Sequence, residues 1–69
     1  MWYWEVYVLN LLDDHVHSFR SSIGFEHESQ VITVLKAKLE SCFITEFLGH
    51  TNFEIKEVFI LYKPQTLEV

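Results

Sequence analysis

The sequence predicts an α+β fold, ββαβ, a three-stranded antiparallel sheet of order 2-1-3 with one helix on one face. Three observations predict it. Residues 1–9 and 53–62 alternate with the period of two that marks a strand, residues 29–45 carry a helical stripe without glycine or proline, and crossover handedness then sets the strand order.

The first strand covers about Trp2 to Leu11. Trp2, Trp4, Val6 and Val8 point one way, Tyr3, Tyr7 and Leu9 the other, and Glu5 is the only charge. A strand apolar on both sides has to be covered on both sides, which suits the centre of a sheet. Asp13-Asp14-His15 supply turn residues, and a second strand follows at about His17 to Phe25. His17, Phe19, Ser21, Ile23 and Phe25 share one of its faces; Ser18, Arg20, Ser22 and Gly24 share a wetter one.

Glu26, Glu28 and Ser29 place negative charge and a side-chain acceptor at a helix start, giving a helix over about Ser29 to Thr45. Its stripe is Val31, Ile32, Val34, Leu35, Leu39, Cys42 and Phe43, opposite Gln30, Thr33, Lys36 and Ser41. Continued in phase, the stripe would bring Glu46 to its centre and exclude Ile44 and Leu48, so the helix should end or bend around 44–48, with Gly49 as a stop. The third strand covers about Phe53 to Tyr62, ahead of the only proline, Pro64. Phe53, Ile55, Phe59 and Leu61 are read on one face, and Val58, Ile60 and Tyr62 on the other.

The second and third strands run parallel across the helical crossover, which is right-handed in nearly all proteins and readily skips one strand. The doubly apolar first strand fills that gap. An order of 1-2-3 would centre the Ser/Arg/Ser/Gly face instead and is rejected. The arrangement amounts to half of a split βαβ fold, an architectural analogy that carries no function.

The chain has 69 residues, and domains of this size bury only roughly 60% of the surface that the unfolded chain exposes. A single cysteine, Cys42, precludes a disulfide within the monomer, points to a reducing setting, and on the apolar stripe is expected to be an inert core thiol. The single domain, residues 1–69, thus has apolar surface to spare. We expect a homodimer through the sheet, with Trp2, Tyr3, Trp4, Tyr7, Leu9, Ile60 and Tyr62 as candidate interface residues for the twin subunit or another protein. The alternative is that Phe47, Leu48 and Gln65–Val69 fold back over the second face.

Charge and motifs narrow the function classes. Five basic and ten acidic side chains give a formal net charge of −5, and Arg20 is the only arginine, so phosphate neutralisation, and with it nucleic-acid binding, is not expected. The apolar N-terminal run has no basic n-region and contains Glu5, unlike a signal peptide, and falls short of the about 18 to 20 apolar residues of a membrane span. A soluble protein of the cytoplasm, or of the host cytoplasm if viral, is expected. His15 and His17 project to one side of an extended segment beside Asp13 and Asp14, which is ligand chemistry for a transition metal, but His-x-His alone specifies coordination loosely. No glycine-rich phosphate loop, nucleophile with a paired base, or carboxylate pair with a pocket is visible.

The sequence therefore predicts no enzyme and no cofactor. It predicts a small acidic interaction module that binds and occupies, or inhibits, another macromolecule, a profile expected of a phage or mobile-element accessory protein acting on a host complex. Its alternative is a small-molecule or nucleotide binder with a pocket at the subunit interface. There Arg20, the one forked donor, would hold an anion, unless it pairs with Glu5 or Glu54.

Overall fold

Strand β1 (Trp2–Asn10) lies between β2 (His15–Arg20) and β3 (Phe53–Tyr62), antiparallel to both. This computed structural model describes residues 1–64. Two helices, α1 (Glu28–Glu40) and α2 (Phe43–Leu48), precede β3, so the α+β class and the 2-1-3 order follow the sequence reading. Among the described residues no helix is long and apolar enough to cross a membrane.

The core is the even side of β1. Trp4, Val6 and Val8 are buried against Val31 and Leu35 of α1 and Ile44 of α2. At the far end Asn10 is also buried, and its Oδ1 accepts the Leu12 N–H at 3.0 Å. Asp13 Oδ1 likewise accepts the His15 N–H at 2.9 Å, while Asp14 takes the left-handed conformation, φ 57°, which short polar side chains tolerate. The turn thus occupies Leu11–Asp14, and β2 begins two residues before the His17 expected from sequence.

The second strand departs from the expected 17–25 span at its other end. Glu5 faces Arg20, so a regular ladder would bring Ile23 opposite Trp2. Phe25 stands there instead and exchanges backbone hydrogen bonds of 2.7 and 2.9 Å with Trp2, so two residues are looped out. At the take-off Ser21 donates its N–H to the Trp4 carbonyl, and its Oγ accepts the Trp4 N–H. Ile23, expected beside Phe19, is 62% exposed, and Phe25 packs on the core in its place. Glycine is required at position 24, where a Cβ would lie 2.7 Å from the Met1 Cβ and 2.9 Å from the Tyr3 hydroxyl.

The helix breaks earlier than the expected 29–45 element would. The Cys42 N–H bonds to the Leu39 carbonyl three residues back, Cys42 adopts φ 60°, and α2 starts afresh. The break resets the phase: Ile44 turns inward and is 3% exposed, Leu48 packs against the core and Glu46 faces solvent. Cys42 is correspondingly exposed, not a core thiol. Gly49, φ 79°, ends α2 as expected.

Strand β3 contains one extra residue. Tyr7 faces Glu57 but Val8 faces Ile55, leaving Lys56 as a bulge. A one-residue slip moves side chains to the opposite face. The split read from simple alternation is therefore replaced: Phe53, Ile55, Val58, Ile60 and Tyr62 all lie on the helix side, and Glu54, Glu57, Phe59 and Leu61 on the other.

Two stability outcomes follow. Leu35→Ala, which empties a buried site beneath β1, should cost about 2–4 kcal/mol in urea unfolding. Cys42→Gly should gain up to about 1 kcal/mol, because a non-glycine residue is strained in the left-handed region, whereas Cys42→Val should lose stability there.

Candidate functional site

The uncovered side of the sheet is lined along β1 by Tyr3, Glu5, Tyr7 and Leu9. Phe59 and Leu61 flank them on β3, and Val16, Ser18 and Arg20 on β2. Tyr7 meets Phe59 edge-on with ring centroids 5.8 Å apart, and Lys63 Nζ stands 5.6 Å from the Tyr3 ring centre. The face has a polar centre. Glu5, its side chain only 12% exposed, lies 3.7 Å from Arg20 Nε through Oε1, and the same oxygen accepts the Tyr7 hydroxyl.

Of the seven candidate interface residues, the structure brings Tyr3, Tyr7 and Leu9 together on this face. The other four lie on the helix side. Trp4 is a core residue, 4% exposed, and so presents no contact surface. Trp2 and Ile60 are half-buried against the core, and Tyr62, tilted against Trp2 at 5.3 Å, is 59% exposed. The proposed internal cover is not formed by residues 47 and 48: Leu48 packs on the core, and Phe47 stacks on Phe19 and His17 of the helix side. The rest of that cover, Gln65–Val69, lies outside the described residues.

Within the sheet the exposed apolar side chains lie mostly on β3, while Val16 of β2, and Leu12, Ile23 and Phe47 outside the sheet, are 55–64% exposed. Ile55 and Val58 are 41% and 47% exposed on the helix side, and Phe59 is 39% exposed on the open side. The reason is position: β3 is an edge strand among the described residues, α1 packs chiefly on β1 and reaches β3 to a lesser extent, and α2 turns toward β2, with Phe43 and Phe47 against Phe19. Sequence reasoning missed Ile55, Val58 and Phe59. The 2-1-3 order already implied a thinly covered edge strand; the bulge at Lys56 carried no comparable signal.

The remaining candidates separate. Arg20 points to Glu5 on the open face, with its side chain 67% exposed. His15 and His17 do come together, with rings 5.0 Å apart, yet no group of three or more His, Cys, Asp or Glu side chains able to hold a metal occurs among the described residues. His17 is packed edge-on to Phe47, and its Nε2 is buried without a hydrogen-bond partner. On the helix side a groove of about 380 Å³ opens between α1 and the looped-out segment after β2, lined by Trp4, Phe19, Phe25 and Phe43, with Lys38 at its edge.

Comparisons with protein-family models, curated proteins and solved structures found no match to this chain.

The Tyr7–Glu5 contact gives a pH signature. The hydroxyl's hydrogen bond to Glu5 favours the neutral phenol, desolvation and the Glu5 charge add to this, and Arg20 opposes it, so the Tyr7 pKa is raised above 10.0. A raised folded-state value means that its stabilisation is present below the ordinary tyrosine pKa and is lost as pH rises through the elevated one. In a Cζ-detected NMR titration Tyr7 should ionise above the ordinary tyrosine range, and Glu5→Gln should lower its midpoint.

Proposed function

We propose that this protein is a non-enzymatic interaction module that works as a homodimer joined along β3, with the open sheet face left for a macromolecular partner. The observation that carries the reading is the apolar exposure of β3 on both of its sides, at Ile55 and Val58 on one and Phe59 on the other, combined with a backbone edge that pairs with no strand among the described residues. A long apolar edge is a template for pairing. Pro64 stands beyond this one, and the bulge at Lys56 is its main irregularity.

A second copy fits this edge better than another strand would. Antiparallel self-pairing about a two-fold axis joins two three-stranded sheets into six strands, and it covers both sides of β3 at once. Within each copy Lys56 pairs with Glu54 at 3.3 Å, so the one cation of this segment offsets part of the strand's own negative charge before two copies meet. Such pairing would leave two copies of Tyr3, Tyr7 and Arg20 on a continuous open face, and tyrosine and arginine are the residue types enriched at binding hot spots. Each subunit is acidic, so salt should strengthen the dimer by screening the repulsion between like-charged copies.

Light scattering at tens of micromolar tests the reading. A dimer is expected for the natural sequence, a monomer for Val58→Lys, and a dimer for Tyr7→Lys. Val58 is already 47% exposed, so its substitution should leave the subunit folded. A natural protein that is monomeric under these conditions, or a dimer lost in Tyr7→Lys and kept in Val58→Lys, overturns the β3 assignment.

A further inference from the structure

We propose that the groove between α1 and the looped-out segment Ser22–Gly24 is a binding site for a small aromatic carboxylate. Its floor is aromatic: Trp4 and Phe43 lie tilted to one another with centroids 6.0 Å apart, and Phe19 meets Phe43 edge-on at 5.4 Å. A volume of about 380 Å³ lies within the range of small-ligand sites, which combine apolar walls with a few placed polar groups.

The charge of the ligand follows from Lys38. Its Nζ lies 5.9 Å from the ring centres of both Trp4 and Phe43, and it forms no ion pair with a carboxylate among the described residues. In a chain with twice as many acidic as basic side chains, both charged residues that line the groove, Lys38 and Arg20, are cations, and of the two only Lys38 has no carboxylate partner among the described residues. The loop adds donors. Ser22 and Ile23 line the groove, and their backbone N–H groups donate to no protein acceptor among the described residues. An aromatic ring would lie against the half-buried Phe19 and Phe43, above the buried Trp4, while its carboxylate took the Lys38 ammonium, with loop N–H groups within the same opening.

Arg20 also lines the groove, but its guanidinium lies toward Glu5 on the opposite face of the sheet, 3.7 Å away. The site is therefore within one subunit and built on Lys38, unlike a pocket shared between subunits and read by Arg20. It lies on the β2 side of the molecule, away from the β3 edge, so ligand binding and self-association can fail independently.

Backbone amide NMR with 2-naphthoate as the probe, and 2-naphthalenemethanol as its neutral counterpart, tests the site. Saturable shifts at Trp4, Ser22, Ile23, Lys38 and Phe43 are expected for the carboxylate, with weaker binding of the alcohol. Lys38→Gln should weaken naphthoate by about tenfold or more, the loss of one charge-assisted hydrogen bond. Ile23→Glu, at a position 62% exposed, should weaken it through like-charge repulsion, and Lys36→Gln should not. Absence of saturable shifts, equal binding of the alcohol, or naphthoate affinity unchanged in both Lys38→Gln and Ile23→Glu overturns the assignment.

Discussion

Burial of the even side of the central strand is the constraint on which the rest of the structure depends. Trp4, Val6 and Val8 meet Val31, Leu35 and Ile44 in one cluster, and each large apolar side chain so buried contributes about 1.5–3 kcal/mol relative to exposure. A chain of 69 residues has no second core on which to fall back. Both neighbouring strands are therefore placed by their ladders to β1, and both helices by the strip of side chains they bring to it. Even the N-terminus is drawn into this arrangement: the Met1 amino group donates to the Lys63 carbonyl, and the Met1 carbonyl accepts the Lys63 N–H.

Three local irregularities reconcile the remaining elements with that core. Looping out two residues after β2 exchanges Ile23 for Phe25 opposite Trp2. The extra residue at Lys56 gathers five apolar side chains of β3 on the helix side. The left-handed residue at Cys42 turns Ile44 inward and leaves Glu46 outside. Each adjusts a periodicity that would otherwise have buried a charge or exposed a large apolar residue, and small departures of this kind cost less than either error.

The same irregularities shape the surfaces. The loop-out makes one wall of the aromatic groove, and the break before α2 brings Phe43 to its floor. With α1 centred on β1 and α2 turned toward β2, the outer strand is only partly covered, and β3 carries more exposed apolar side chains than either other strand. On the open face the Arg20–Glu5–Tyr7 contacts satisfy the one carboxylate of the central strand. Glu5 is thus tolerated at the middle of an otherwise apolar row, where an unpaired charge would oppose docking of a protein surface.

Much of the architecture was legible in the sequence. The double-sided alternation of residues 1–9, the unbroken helical stripe from Val31 to Leu39 and the handedness of one crossover sufficed for three strands in the order 2-1-3 beneath helical cover. These are local periodicities joined by one topological rule, and they survive because the inward side of β1 has only one place to be buried. The pairing of Arg20 with Glu5 was legible for the same reason, as neighbours on adjacent strands. Other features required the tertiary structure: the phase of β3, the exposure of Cys42 and Ile23, the burial of Trp4 at the base of a groove, and the shift of apolar exposure from the central strand to the edge. A bulge or a loop-out is selected by the packing of side chains distant in sequence. Its effect on which residues face solvent is decided by the core as a whole, beyond the reach of any single run of residues.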